Sequence, residues 1–170
     1  GKFASAAGGG ESIGNVAAAA GGANANAAAV KGIAGAMKGI VEAARKVEGV
    51  KFEPAAAAAA DGNGNKKAGK LFGTNAAAAA EDAKDAAAAV GAVSGKQILS
   101  AIVVAAAGSG DQTQGKAANQ ATNAIEAAIG NGGNADFDVT GDKIGKKNDQ
   151  IAAALVLRGV AKGGKFAAAE

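Results

Sequence analysis

Apolar side chains return every three or four positions over residues 27–48, where Val30, Ile33, Met37, Ile40, Val41, Ala44 and Val47 share one face of a helix. The strongest start signal in the chain lies further on. Ser94 and Gln97 are spaced as a capping box, and Val93 and Ile98 sit at the positions of a hydrophobic staple, which together open a helix over 94–107. Ile98, Leu99, Ile102 and Val103 give that helix the densest apolar stripe. A further helix is expected over 115–129, carrying Ala118, Ala121, Ile125, Ala128 and Ile129 and stopped by residues 130–133 (GNGG). The last, over 149–162, is apolar on two sides, with Ile151 and Leu155 on one, Leu157 and Val160 on the other, and Arg158 alone among them. A helix apolar over so much of its circumference belongs between others, so this one is expected at the centre.

Two weaker elements lie between. Pro54 at a first helical position predicts a short helix over 55–60, broken by the turn sequence DGNGN at 61–65. Asn75 opens a stretch over 76–90 with Glu81, Asp82, Lys84 and Asp85 on its wet side and almost only Ala on the other. Residues 1–26 read as a flexible Gly/Ala-rich segment with a short helix at 12–20, and residues 27–170 as one helical domain. The expected class is all-α. The helices at 27–48, 94–107, 115–129 and 149–162 form an Ala-rich irregular bundle, with Gly/Asn/Asp/Lys-rich loops and little or no β-structure.

Composition thins this bundle. The chain has 52 Ala but only 31 larger apolar residues, so most of its hydrophobic fraction is methyl groups. Each large side chain contributes about 1.5–3 kcal/mol on full burial, against roughly 1–2 kcal/mol of backbone ordering for every residue fixed. Gly32, Gly35 and Gly39 lower the helicity of 27–48 by about 1 kcal/mol each relative to Ala, unless a neighbouring helix packs closely on them. The net charge of +3, with no Trp or Tyr to stack on bases, argues against nucleic acid as a partner. With no Cys and no His, thiolate chemistry and the commonest general base and metal ligand are missing. No cofactor, metal or catalytic residue is expected, and the chain does not read as an enzyme. The apolar run at residues 98–107 is about half of the roughly 20 residues that cross a bilayer, and residues 1–20 lack the pattern of a signal peptide.

Motif fragments carry little. Residues 159–165 (GVAKGGK) begin like a phosphate loop, but Phe166 stands where a magnesium-binding hydroxyl is needed and a helix precedes it. Gly130, Gly132 and Ala135 meet a loose dinucleotide pattern, again after a helix. Asp136, Asp138, Thr140 and Gly141 open like a calcium loop that Lys147 fails to close. Ser94 is a cap and not a nucleophile. Arg158 either anchors a ligand or pairs with an acid such as Asp149 or Glu126, the second being favoured. Lys66, Lys67 and Lys70, with Lys143, Lys146 and Lys147, form two clusters that could dock a polyanion by charge attraction.

Five blocks, in order, resemble the Vls/variable large protein surface lipoproteins of Borrelia. They are residues 31–44 (KGIAGAMKGIVEAA), 66–73 (KKAGKLFG), 92–104 (AVSGKQILSAIVV), 124–130 (AIEAAIG) and 146–167 (KKNDQIAAALVLRGVAKGGKFA). The last resembles the family's least variable segment. The resemblance implies a mostly helical protein of the cell outer membrane, held by a lipid anchor outside this segment, whose exposed loops change to evade host antibodies. Stretches 48–66, 108–116 and 130–147, which punctuate the helices, are the expected variable, antibody-facing surface. An adhesin that binds host glycosaminoglycans through the six lysines is the alternative, and a cytosolic Ala-rich helical protein is a third reading. Without a signal peptide, an anchoring Cys or long terminal helices, the sequence reads as a single cassette or fragment. GKFA at 1–4 recurs at 164–167, which suits a unit of a head-to-tail array.

Overall fold

The computed structural model describes residues 16–18, 21–53, 56–110 and 113–167. Its helices are α1 (Ala27–Arg45), the 3-10 helix η1 (Lys66–Phe72), α2 (Ala80–Gly91), α3 (Gly95–Gly108), α4 (Ala124–Ile129) and α5 (Asn148–Val160). Among the described residues extended pairing is limited to isolated bridges, with no sheet. The architecture is therefore all-α, as the periodicity implies.

Most of the apolar stripes become the core, but Ile40 and Val47, expected on the inner face of the first helix, are exposed, because the stripe runs past the helices that cover it. Val30, Ile33, Ala34 and Val41 of α1 are buried against α3, and Ala101, Ile102, Val103 and Ala105 of α3 are buried in turn. α5 packs on α1, α2, α3 and α4 and buries Ile151, Ala152, Ala153, Ala154, Leu157 and Arg158. The helix with the least polar circumference does occupy the centre.

Caps fix where helices begin. Asn26 Oδ1 accepts the Ala29 N–H at 2.9 Å and opens α1. Ser94 Oγ accepts from Gln97 N at 3.2 Å while Gln97 Oε1 accepts from Ser94 N at 2.8 Å, completing the box expected for α3. α2 departs from expectation, starting at Ala80 instead of 76. Its opening group is Asp82, whose carboxylate accepts the Ala79 N–H at 2.7 Å. Asp82 is buried and not on the wet side.

Three further expectations change. The helix expected over 115–129 shortens to α4, because the preceding residues are held against it. Lys116 N donates to Glu126 O, and Thr122 donates from both N and Oγ1 to the Glu126 carboxylate at 2.9 Å. Residues 56–60 are extended, not helical: Ala60 N bonds Lys146 O at 2.9 Å and Ala59 lies opposite Lys147. A six-residue helix is held mainly by tertiary packing, and six alanines, unlike α4 with Ile125 and Ile129, offer no large side chain to dock, so pairing with a neighbouring loop wins. The helix expected at 12–20 falls largely outside the described residues.

So does most of the flexible segment expected over 1–26. Its described end is tied into the fold: Gly22 N bonds Gly73 O, Ala23 and Lys165 exchange both backbone bonds, Ala25 N bonds Ile129 O, and Ala25 is buried.

Two of the glycines of α1, Gly35 and Gly39, make no close helix contact. A Cβ at Gly35 or Gly39 would meet nothing within 4 Å, so Gly35→Ala and Gly39→Ala should each raise stability by about 0.5–1 kcal/mol through helix propensity alone. Denaturant unfolding checks this, and a loss of stability at either site would reveal a partner surface there.

Candidate functional site

The least expected group in the core is Arg158, with no exposed surface. Its place follows from α5 being central, and its chemistry from what surrounds it. Nη2 donates to Ala23 O at 2.6 Å, Lys165 O at 3.2 Å and Phe72 O at 3.3 Å; Nη1 donates to Ala128 O and Nε to Lys165 O, both at 3.3 Å. Phe72 ends η1 and Ala128 lies in the last turn of α4, so two helix C-termini turn their partial negative charge toward the guanidinium. The ring of Phe72 lies 5.3 Å from it, with Phe137 and Phe166 packed on that ring at 5.4 and 5.8 Å. Burial pushes the Arg158 pKa down to about 10, which leaves it charged at neutral pH.

Neither acid expected beside Arg158 is its partner. Its donors go to backbone carbonyls, and Glu126 is occupied elsewhere, by Lys116 Nζ at 2.8 Å and by Thr122. Four separated chain segments meet on one cation that has no exposed surface to offer a ligand. Its role is to close the fold. Gly130 serves the same junction: at φ +75° it turns the chain out of α4, and a Cβ there would lie 2.7 Å from Arg158 Nη1.

Glu126 holds the second polar junction. Burial raises its pKa, but the Lys116 and Thr122 hydrogen bonds outweigh burial and leave it below the usual carboxylate value. A depressed folded pKa means stability present above the unfolded pKa, about 4.3, and lost as pH falls through the folded value. The melting-temperature difference between wild type and Glu126→Gln should therefore be present at neutral pH and shrink below pH about 4. An equal difference at both pH values would show that the carboxylate charge contributes nothing.

The motif fragments resolve into local structure. Asp138 Oδ1 accepts from Thr140 N and Oγ1 at 2.9 and 2.8 Å, closing a turn on itself, while Asp136 faces Lys70 and Lys66 at 3.7 and 3.9 Å. Among the described residues no group of three or more acids, Cys or His is placed to hold a metal. The Gly159–Val160 part of the phosphate-loop resemblance lies inside α5, and Lys165 gives its carbonyl to Arg158. No described helix is by itself long and apolar enough to cross a membrane.

The six lysines divide. Lys66 and Lys70 face Asp136, Lys70 also faces Asp82 at 3.9 Å, and Lys67 faces Glu81 at 3.8 Å. Lys143 Nζ donates to Gln120 O and Lys147 Nζ to Asp142 O. The loops bearing the two clusters are joined, through Ala60 N to Lys146 O, Asn65 Nδ2 to Asn148 Oδ1 at 2.7 Å, and Phe137 N to Lys66 O. The first cluster is thus a mixed-sign surface and the second lies beside it. Sequence reading missed the carboxylates facing Lys66, Lys67 and Lys70 because the acids come from residues 81, 82 and 136, far away in the chain.

The molecule is an all-helical body closed around a buried arginine, with polar loops outside. Its family follows from comparison: the family model for Borrelia lipoprotein matches residues 1–170, and the chain belongs to that family. It is 36% identical over 140 residues to variable large protein 25 of Borrelia hermsii, covering 82% of this chain and 38% of the relative. Variable large protein 21 of the same organism is 33% identical over 135 residues, covering 78% and 36%. The crystal structure of the Lyme disease variable surface antigen VlsE of Borrelia burgdorferi superposes with a TM-score of 0.75 at 50% identity, covering 93% of this chain and 56% of that one. The chain spans less than two-fifths of the length of the curated relatives it matches.

Proposed function

We propose that this chain is the variable, antibody-facing part of an outer-surface lipoprotein, without catalytic activity, and that it serves evasion of the host antibody response by antigenic variation. In this reading the complete protein sits in the cell outer membrane through a lipid anchor outside the segment. The observation that carries it is the separation of exposure from framework. Residues 46–51, 61–63, 131, 133 and 140–142 are exposed, while the α5 core from Ile151 to Ala154, Leu157 and Arg158 is buried. A change at the first set touches no core contact. The stretch 130–147 divides on this basis, since Phe137 and Ile144 within it are core residues and only its tips are free to change.

The test is an antiserum raised against the folded chain. Replacing residues 46–51, 61–63 and 140–142 together should remove most of its binding, and proteolysis of intact cells should cleave the protein. Retained binding, or full protection on intact cells, would contradict the proposal.

A second reading, docking of sulfated glycosaminoglycans, draws on the joined loops that bring Lys66, Lys67 and Lys70 beside Lys143, Lys146 and Lys147. It requires retention on heparin that weakens with salt and falls when Lys143, Lys146 and Lys147 are replaced. Retention indifferent to either would count against it.

A further inference from the structure

We propose that Asn131 is a site of spontaneous modification, at which the folded protein converts an exposed asparagine to aspartate and isoaspartate through a cyclic imide. The sequence has two Asn–Gly pairs, Asn63–Gly64 and Asn131–Gly132. Glycine matters here because, without a Cβ, its backbone nitrogen is unshielded and its chain can swing toward the preceding side chain. The Gly132 nitrogen, after losing its proton to water, attacks Asn131 Cγ. A new N–Cγ bond forms, the Cγ–Nδ2 bond breaks, and ammonia leaves with a proton from solvent. Water then opens the imide at one carbonyl to give aspartate, or at the other to carry the main chain through Cβ and Cγ as isoaspartate. No oxidant or enzyme is needed.

The fold separates the two pairs. Both asparagines are exposed, so solvent reaches each. Gly64 is held twice: its N–H donates to Asp61 O at 2.9 Å within the turn, and its Cα is wedged so that a Cβ would come 2.3 Å from Gly145 O. Attack at Asn63 must break that bond and shift that contact. Gly132 donates only a long 3.3 Å bond, to the exposed Asn24 Oδ1, and a Cβ on it would meet nothing nearer than Thr74 Oγ1 at 3.4 Å. No described residue bonds the Asn131 side chain, whereas Asn26 and Asn123 are committed as helix caps, Asn65 and Asn148 to each other, and Asn134 to Ala77 O. Of the two Asn–Gly pairs, Asn131–Gly132 is the one whose side chain and following nitrogen are freer to meet.

Each event replaces a neutral amide by a carboxylate, lowering the formal net charge of +3 by one. It does so beside Gly130, one residue from the arginine junction, on a surface that the proposed function presents to antibodies. A single sequence would then display two or three chemical surfaces over its lifetime. The chemistry does not depend on that function and is tested without it.

The folded 170-residue chain, incubated in mildly alkaline buffer at body temperature, is digested with trypsin and each asparagine followed by fragmentation mass spectrometry. Isoaspartate is confirmed by methyl transfer from an isoaspartyl methyltransferase. The peptide of residues 52–66 reports Asn63, and that of residues 117–143 reports Asn131. Conversion at Asn131 should run severalfold faster than at Asn63, and Asn131→Gln should abolish the product in the second peptide, because glutamine must form a larger, slower ring. In urea, where neither pair is held, the two rates should converge. Equal rates in the folded chain, a faster Asn63, or no product at Asn131 would each overturn the proposal.

Discussion

Arg158→Met should destabilise the protein by about 2–6 kcal/mol, the cost of two orphaned buried carbonyls at roughly 1–3 kcal/mol each. Methionine keeps the length and apolar packing of the stem, so the loss isolates the guanidinium. Ala23 O and Lys165 O would survive it, because each also accepts the other residue's N–H at 3.0 Å. Phe72 O and Ala128 O have no other donor among the described contacts and lie at helix C-termini that face inward. Single domains are stable by only about 5–15 kcal/mol, so the variant sits near the folding threshold. Urea unfolding followed by circular dichroism measures it; an unchanged midpoint would show that the carbonyls do not need the cation.

Leu157→Ala should cost about 2–5 kcal/mol, toward the upper end of that range. Leu157 has no exposed surface and sits on the helix that touches all four other α-helices. The cavity term should be large because the core cluster to which Leu157 belongs is mostly alanine, including Ala121, Ala124, Ala128, Ala153 and Ala154. A methyl group has no rotamer with which to reach into a void, so the site can refill only by moving backbones. Val156→Ala, on the exposed side of the same helix, is the control and should cost less than about 1 kcal/mol. Similar midpoints for the two variants would mean that α5 is not the centre of the core.

Much of the framework was legible in the sequence where periodicity and capping agree. The apolar spacing over 27–48 marked α1, the Ser94–Gln97 box opens α3, and the wide apolar surface of 149–162 announced the central helix. Legibility failed where long-range contacts decide. Nothing local says that residues 56–60 pair with a loop far along the chain, at residues 146 and 147, instead of forming a helix, or that Glu126 holds Thr122 and Lys116 and so shortens α4. Asp82 looked wet because a carboxylate in a first turn usually is, and only the packing of η1 on α2 buries it. The arginine was rightly read as structural, but its partners are carbonyls, and backbone acceptors leave no trace in side-chain identity.

The same division separates framework from surface. The segments that meet at Arg158 lie at residues 23, 72, 128 and 165, and the last belongs to the block that resembled the family's least variable stretch. Under the proposed function, closing the fold with backbone carbonyls is an advantage, since any residue supplies one. The free tips at 46–51, 61–63 and 140–142 take no part in that closure.

The decisive measurement is the thermal melt, by far-ultraviolet circular dichroism, of a chain in which residues 46–51, 61–63 and 140–142 are replaced together by unrelated polar sequence that keeps Gly49, Gly62 and Gly141. A helical framework independent of its loops should melt cooperatively, within a few degrees of wild type. A broad transition, or a large fall in melting temperature, would show that the loops hold the fold together and are not free to vary on it.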